Sequence, residues 1–319
     1  MAAADLRARL IALLELPEPG APVLDVLSGE PRDGYAEQRV AFAGAEGPVP
    51  AYLLLPHGDG PFPGVVAHHQ HNSEWHWGKS EVAGRAGDPL QAFGPALARR
   101  GVAVLAPDAV GFEDRRAGGP GIAPGDRDGP EHFNEMSYRL VRGRLLMTTV
   151  LGDAAAALSA LAGHDRVDAG AIGVLGHSYG GNTVLFQAAL DERARFACAS
   201  GAACTYRRRM ADRTGIELAQ IVPGILRVAD IDDVVGLIAP RPLLLVSAPG
   251  DPYSADADEI VRAVARRFPP GALRHARFAG GHALTKKRFE LIVDWVAATC
   301  RAQRRRARRR PPGRPRPGS

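Results

Sequence analysis

No run of about 18 apolar residues occurs anywhere in this 319-residue chain, so no helix-length membrane span is expected. Cysteine is scarce as well. Cys198, Cys204 and Cys300 form an odd set without metal-type spacing, which argues against a disulfide framework and suits a reducing compartment. A signal-peptide pattern is missing too. Asp5, Arg7, Arg9 and Glu15 interrupt any apolar core in MAAADLRARLIALLELPEPG, while Leu6, Leu10, Leu13 and Leu14 recur at helical spacing. The segment reads as a short amphipathic helix closed by Pro17 and Pro19, and a cytoplasmic location is expected. Acidic residues are absent from residues 301–319, RAQRRRARRRPPGRPRPGS, which hold nine arginines; without those nine the formal charge turns from +5 to −4. The body is therefore mildly acidic and lacks the positive groove that nucleic-acid affinity depends on. The Arg/Pro-rich tail is expected to be disordered.

What is present is ordinary for a soluble domain: 45% apolar and 24% charged residues. Short β-branched runs alternate with longer helical patterns. Strands are expected at 37–43, 50–55, 64–69, 102–107, 171–176, 195–200, 242–248 and 273–279. Helices are expected near 88–100, 137–162, 180–190, 255–268 and 284–299. This alternation predicts an α/β fold with a mostly parallel central sheet, helices on both faces, and an opening hairpin as its antiparallel edge. The division reads as an N-terminal helix and lead-in over 1–34, one domain over 35–300, and the tail over 301–319. Two stretches break the rhythm, 111–136 and 201–236. Both follow strands at the ends where open α/β sheets bind ligands, so they read as a cap or rim.

The most informative residues are Gly176-His177-Ser178-Tyr179-Gly180, a G-x-S-x-G pattern between the strand AIGVLG and the helix-like GNTVLFQAAL. A strand-turn-helix context holds such a serine at the tip of a sharp turn. A serine hydroxyl needs a base, and the expected order after it is acid, then histidine. Asp251, in PGDPYS, and His282, in GGHALT, each follow a predicted strand and complete that order. Asp256 and Asp258 come a few residues too late, and His275 falls within a strand. An acyl-transfer serine also needs N–H donors for the developing oxyanion. Tyr179 offers one. Another is expected from the loop after the strand GVVAHH, with Gln70 or His71 the donor.

That loop, in GVVAHHQHNSEWHWGKSE, carries His68, His69, His71 and His76 with Trp75 and Trp77. A metal site is the rival reading; the lack of an HExxH pattern and the redundancy beside a serine triad argue for no metal. Trp75, His76, Trp77 and Lys79 are expected to line the entrance as substrate-binding residues. Asp108, Glu113 and Asp114 read as structural, and Arg207-Arg208-Arg209 beside Tyr206 as a solvated charge run rather than a clamp for an acidic group.

Together, HQHNSEWHWGKSE, GVAVLAPDAVGFEDRR, GHSYGGNTVLFQAALDER, and IAPRPLLLVSAPGDPYS followed by GGHAL resemble the α/β-hydrolase superfamily, in its dienelactone-hydrolase-like or acetyl-xylan-esterase-like branch, over roughly residues 35–299. Dienelactone hydrolases proper carry a cysteine nucleophile, whereas Ser178 stands here. The resemblance implies hydrolysis of a carboxylic ester, thioester or lactone through an acyl-enzyme, with no cofactor. The alternatives are acyl transfer or cyclisation by the same residues and, less favoured, a binding protein of the same fold. The expected partner is a small-molecule substrate, with no nucleic acid and no membrane; the oligomeric state is left open.

Overall fold

The computed structural model describes residues 2–309. Its centre is one nine-stranded sheet: β1 (Asp25–Arg32), β2 (Tyr35–Gly44), β3 (Gly47–Pro56), β4 (Phe62–His68), β5 (Ala103–Pro107), β6 (Val167–His177), β7 (Ala197–Ser200), β8 (Leu243–Ser247) and β9 (Leu273–Arg277). The spatial order is β1-β2-β3-β5-β4-β6-β7-β8-β9. Pairing is antiparallel from β1 to β5 and parallel from β5 onward. The helices are α1 (Ala3–Leu13), α2 (Lys79–Val82), α3 (Phe93–Ala98), α4 (Asp128–Val141), α5 (Leu146–Ala162), α6 (Tyr179–Leu190), α7 (Tyr206–Ala211), α8 (Ile231–Gly236), α9 (Ala257–Val264) and α10 (Lys286–Arg309).

Strand side chains alternate between two helical layers, as the pleat requires. On β3, Leu53 and Leu55 belong to the core covered by α1, α5, α6, α8 and α9, while Tyr52 and Leu54 belong to the one covered by α3 and α10. β4 repeats the pattern, with Val66 on the first side and Val65 and Ala67 on the second. The central strands are buried on both faces, which is why they read as unbroken apolar runs. Truncating a fully buried leucine here, such as Leu54, costs about 2–5 kcal/mol.

Four expectations need correction. β1 was not foreseen, because DVLSGEPR is nearly all exposed and gives no alternating signal; it, and not the β2–β3 hairpin, forms the edge. The lead-in is not separate. β1 joins the sheet, and Leu6 and Leu10 of α1 are buried in the core. The helix expected over 137–162 is two, α4 and α5, inclined at 105° about a break where Gly143 adopts φ +71°. Finally, residues 301–309, expected to be disordered, continue α10. The apolar face of that helix (Ile292, Val293, Val296, Ala297, Cys300) ends at Cys300, but Ala, Gln and Arg are strong helix formers and extend it to Arg309. The remainder of the tail lies outside the described residues. Among the described residues, no single helix is long and apolar enough to cross a membrane.

Candidate active site

Ser178 sits between β6 and α6 at φ +55°, ψ −118°, a region a side chain rarely adopts, and its N–H donates to Ser200 O at 2.8 Å. Holding such a residue costs on the order of 1–3 kcal/mol, which the packed turn must offset. The glycines make the turn fit. A Cβ on Gly180 would stand 2.3 Å from His68 O and 2.7 Å from His69 O, so only glycine lets the turn press against the loop after β4.

His282 and Asp251 reach this serine from loops after β9 and β8. His282 Nε2 lies 2.7 Å from Ser178 Oγ, and His282 Nδ1 lies 2.9 Å from Asp251 Oδ1. Asp251 is buried and accepts from Tyr253 N at 2.9 Å and Ser254 Oγ at 2.8 Å. Burial alone would raise its pKa. The hydrogen bond and charge of His282, with those two further donors, outweigh burial and hold the carboxyl below its ordinary value. Such a carboxylate can orient the ring and stabilise an imidazolium. The His177 ring lies against His282, centroids 4.9 Å apart, with Nδ1 3.0 Å from Ser200 Oγ; burial pushes its pKa down to about 3, so it is a neutral neighbour. Gly201, at φ +62°, backs both rings: a Cβ there would lie 2.9 Å from one and 3.0 Å from the other. The rival acid and base lie elsewhere. Asp256 accepts from Thr205, and His275 Nε2 meets Ser247 Oγ at 2.7 Å within β9.

The histidine-rich loop divides by role. His68 Nε2 meets Gln187 Oε1 at 2.7 Å. His69 spans the loop, with Nδ1 2.8 Å from Gln70 O and Nε2 accepting from Ala109 N at 3.1 Å. Burial lowers both rings to about 4, which keeps them neutral. The Gln70 side chain donates to Glu81 Oε1 at 3.0 Å and accepts from Gln91 at 3.1 Å, pinning the loop backbone beside the elbow. His71 and Trp75 face a cavity of about 370 Å³ that also contains Ser178, His282 and Tyr253. The Tyr179 ring is buried against His69 and Phe112, and its hydroxyl has no partner.

Three of the four residues expected at the entrance do not line this cavity. His76 and Trp77 lie outside it, their rings tilted against each other with centroids 4.8 Å apart. Lys79 is buried, with Nζ 2.7 Å from Asp108, 2.5 Å from Glu113 and 2.7 Å from Asp114. The reason is local charge balance. Three carboxylates gathered after β5 need a cation, and Lys79 is the one that reaches all three, with Arg39 touching only Asp114 from outside at 3.8 Å. Burial first, and the Glu113 charge second, push Asp108 up to about 7 despite the ammonium.

The structure also brings in residues that sequence reasoning did not place here. Asn182, one turn along α6, and Arg209, Glu217 and Tyr253 line the cavity, so the 201–236 insertion supplies one wall. Arg209 is 2% exposed, which overturns the solvated-run reading for this member of the triplet. Among the described residues, two groups have metal-like spacing, Asp108–Glu113–Asp114 and His71–His132–Glu217. Lys79 fills the first. In the second, Ser73 N donates to His71 Nδ1 at 2.9 Å, which leaves the proton on Nε2 and equips the ring as a donor rather than a ligand.

The sheet order, the strand-turn-helix serine, and an acid and a histidine following later strands define the fold as that of the α/β-hydrolases. The comparisons agree with it. Residues 135–222, which include the elbow, match the Prolyl oligopeptidase family. A Bacillus subtilis (strain 168) protein, YtaP, carried as a hydrolase by name only, is 28% identical over 88% of this chain and 93% of its own. A Bacteroides fragilis NCTC 9343 structure, given provisionally as an acetyl xylan esterase, superposes with a TM-score of 0.70 at 18% identity over 86% of this chain and 74% of that one. A glucuronoyl esterase from Solibacter usitatus superposes with a TM-score of 0.60 at 15% identity, covering 92% and 91%.

Proposed function

We propose that this protein is a serine hydrolase that cleaves a carboxylic ester, thioester or lactone through an acyl-enzyme. The observation that carries the reading is the unbroken hydrogen-bonded line from Ser178 Oγ through His282 to the buried Asp251, opening on a cavity. Ser178 Oγ attacks the carbonyl carbon while His282 Nε2 takes its proton. The tetrahedral intermediate collapses as the same nitrogen protonates the leaving oxygen or sulfur. Water, deprotonated by His282, then releases the acid. Asp251 holds the ring and offsets the imidazolium charge.

The oxyanion is received by the Tyr179 N–H, at the first position of α6 where helical N–H groups lack internal partners, and by an N–H of the Gln70–His71 segment. The close packing of Gly180 on His68 and His69 supports that pairing, since it keeps the two segments adjacent. Trp75 forms part of the substrate wall. The neighbouring folds that carry esterase names favour hydrolysis over acyl transfer.

A fluorophosphonate probe tests the reading. It should label the folded protein and fail to label Ser178→Ala. Equal labelling of both would sink it.

A further inference from the structure

We infer that Arg209 makes the cavity above Ser178 a receptor for a carboxylate, so that the ester cleaved is one arm of an acidic molecule. The inference rests on the proposed ester chemistry for its biological meaning, but not for its test. It starts from an imbalance. Arg209 is 2% exposed, yet it meets only two neutral oxygens, Gln220 Oε1 at 3.2 Å and Asn182 Oδ1 at 3.3 Å, and lies over the Tyr253 ring at 5.7 Å. No carboxylate among the described residues reaches ion-pair distance of it.

Every comparable arginine is better served. Its neighbours Arg207 and Arg208 pair with Asp230 and Asp212. The largely buried Arg115 and Arg116 pair with Asp153 and Asp128. Arg241 and Arg288 lack carboxylates, but each is wrapped by several backbone carbonyls. A desolvated guanidinium with two long bonds to neutral partners is left short of negative charge. Arg209 alone in this comparison combines that shortfall with a place on the wall of the Ser178 cavity.

The fold holds this group ready. Thr205 caps α7 by accepting from Arg208 N and is itself tied to Asp256, while Tyr206 N donates to Asp230 and Tyr206 OH to Gln220 O. A guanidinium fixed in advance suits a planar carboxylate and loses little freedom on binding it. The reach is short. Asn182, which accepts from Arg209, donates its own N–H to Ser178 O, so a single residue of α6 links the guanidinium to the Ser178 turn. Glu217 is the opposing charge on the same cavity, with Oε1 already accepting from Leu218 N. It confines a carboxylate to the Arg209 side and excludes molecules acidic at both ends.

The test uses full-length Ser178→Ala, which cannot consume its ligand. Monomethyl esters of malonic, succinic, glutaric and adipic acid are titrated by calorimetry against the corresponding dimethyl esters. At least one monoester should bind about tenfold or more tighter than its diester, the range of a charge-assisted hydrogen bond. Adding Arg209→Gln should bring that ratio to about one, and Arg209→Lys should retain part of it. Equal binding of mono- and diesters, binding of neither at millimolar concentration, or a preference that survives Arg209→Gln would each overturn the inference. Should Arg209→Gln not fold, the ratio in Ser178→Ala, with and without the added Arg209→Lys, decides. Probe labelling of Ser178 without an acid preference leaves the hydrolase standing and removes only this inference. An acid preference without labelling does the reverse.

Discussion

Two polar clusters stand past the C-terminal ends of the parallel strands, and they are finished differently. After β5, Lys79 lies within hydrogen-bond distance of Asp108, Glu113 and Asp114, and those carboxylates also accept from Lys79 N, Ser80 N, Ser80 Oγ and Gly78 N. Every group has its partners, and the Asp108, Glu113 and Lys79 side chains are buried. After β6, β8 and β9, the line Asp251–His282–Ser178 is saturated at its buried end and open at the other, where Ser178 Oγ borders the cavity. Both clusters hold buried carboxylates. Only the incomplete one can do chemistry, because catalysis needs a group whose remaining bonding capacity is reserved for substrate. Arg209 falls on the incomplete side of the same division.

Four substitutions sharpen this contrast, in descending order of effect. Ser178→Ala should lower ester turnover about 10⁶-fold without unfolding the chain, read from steady-state rates and a thermal melt. Asp251→Asn should cost roughly 10⁴-fold in kcat, since an amide favours the wrong His282 tautomer; retention of more than a tenth of the rate would break the assignment of Asp251. Lys79→Met should act on stability, lowering it by about 3–5 kcal/mol in urea unfolding, because the buried Asp108 and Glu113 carboxylates lose their cation. If Lys79→Met instead spared stability and abolished probe labelling, the two clusters would not be distinct.

Glu81→Gln is the subtlest. Burial pushes the Glu81 carboxyl up to about 7, above its ordinary value. The folded state therefore holds that proton where the unfolded chain has released it. The stability this group contributes is full below the ordinary carboxylate range and fades as pH rises through about 7. Glutamine keeps the acceptor for Gln70 and Asp88 without the charge. The variant should match the parent at pH 4 and exceed it at pH 8 by on the order of 2 kcal/mol. A parent whose stability does not decline relative to the variant over that range would contradict it.

The parallel strands were legible because burial on both faces forces continuous β-branched and aliphatic runs. The elbow was legible because its glycines sit where any Cβ would strike backbone. Ser178, Asp251 and His282 could be singled out because chain order and strand ends restrict where such groups can stand. β1 was not legible, since an exposed edge strand needs no apolar alternation, and the Gly143 break was hidden inside a pattern that stays helical on both sides.

Composition alone could not sort the histidine-rich loop or the arginine triplet. His69, His71 and His76 look alike in sequence, yet one is a buried strut, one borders the cavity and one leans on Trp77 outside it. Neither Lys79 nor Arg209 stands where expected, for the same reason: a cation goes where its neighbours' charges and hydrogen-bonding needs put it.

The sequence by itself determined the layered sheet, the strained serine turn and the order of the groups that follow it. These depend on local sterics and on hydrophobic period, which act between residues near in the chain. Only the tertiary structure decided which polar groups are satisfied and which are left open. That depends on partners as far apart as Lys79 and Glu113, or Asn182 and Arg209, and desolvation gives their pairing its weight only once the chain has folded around them.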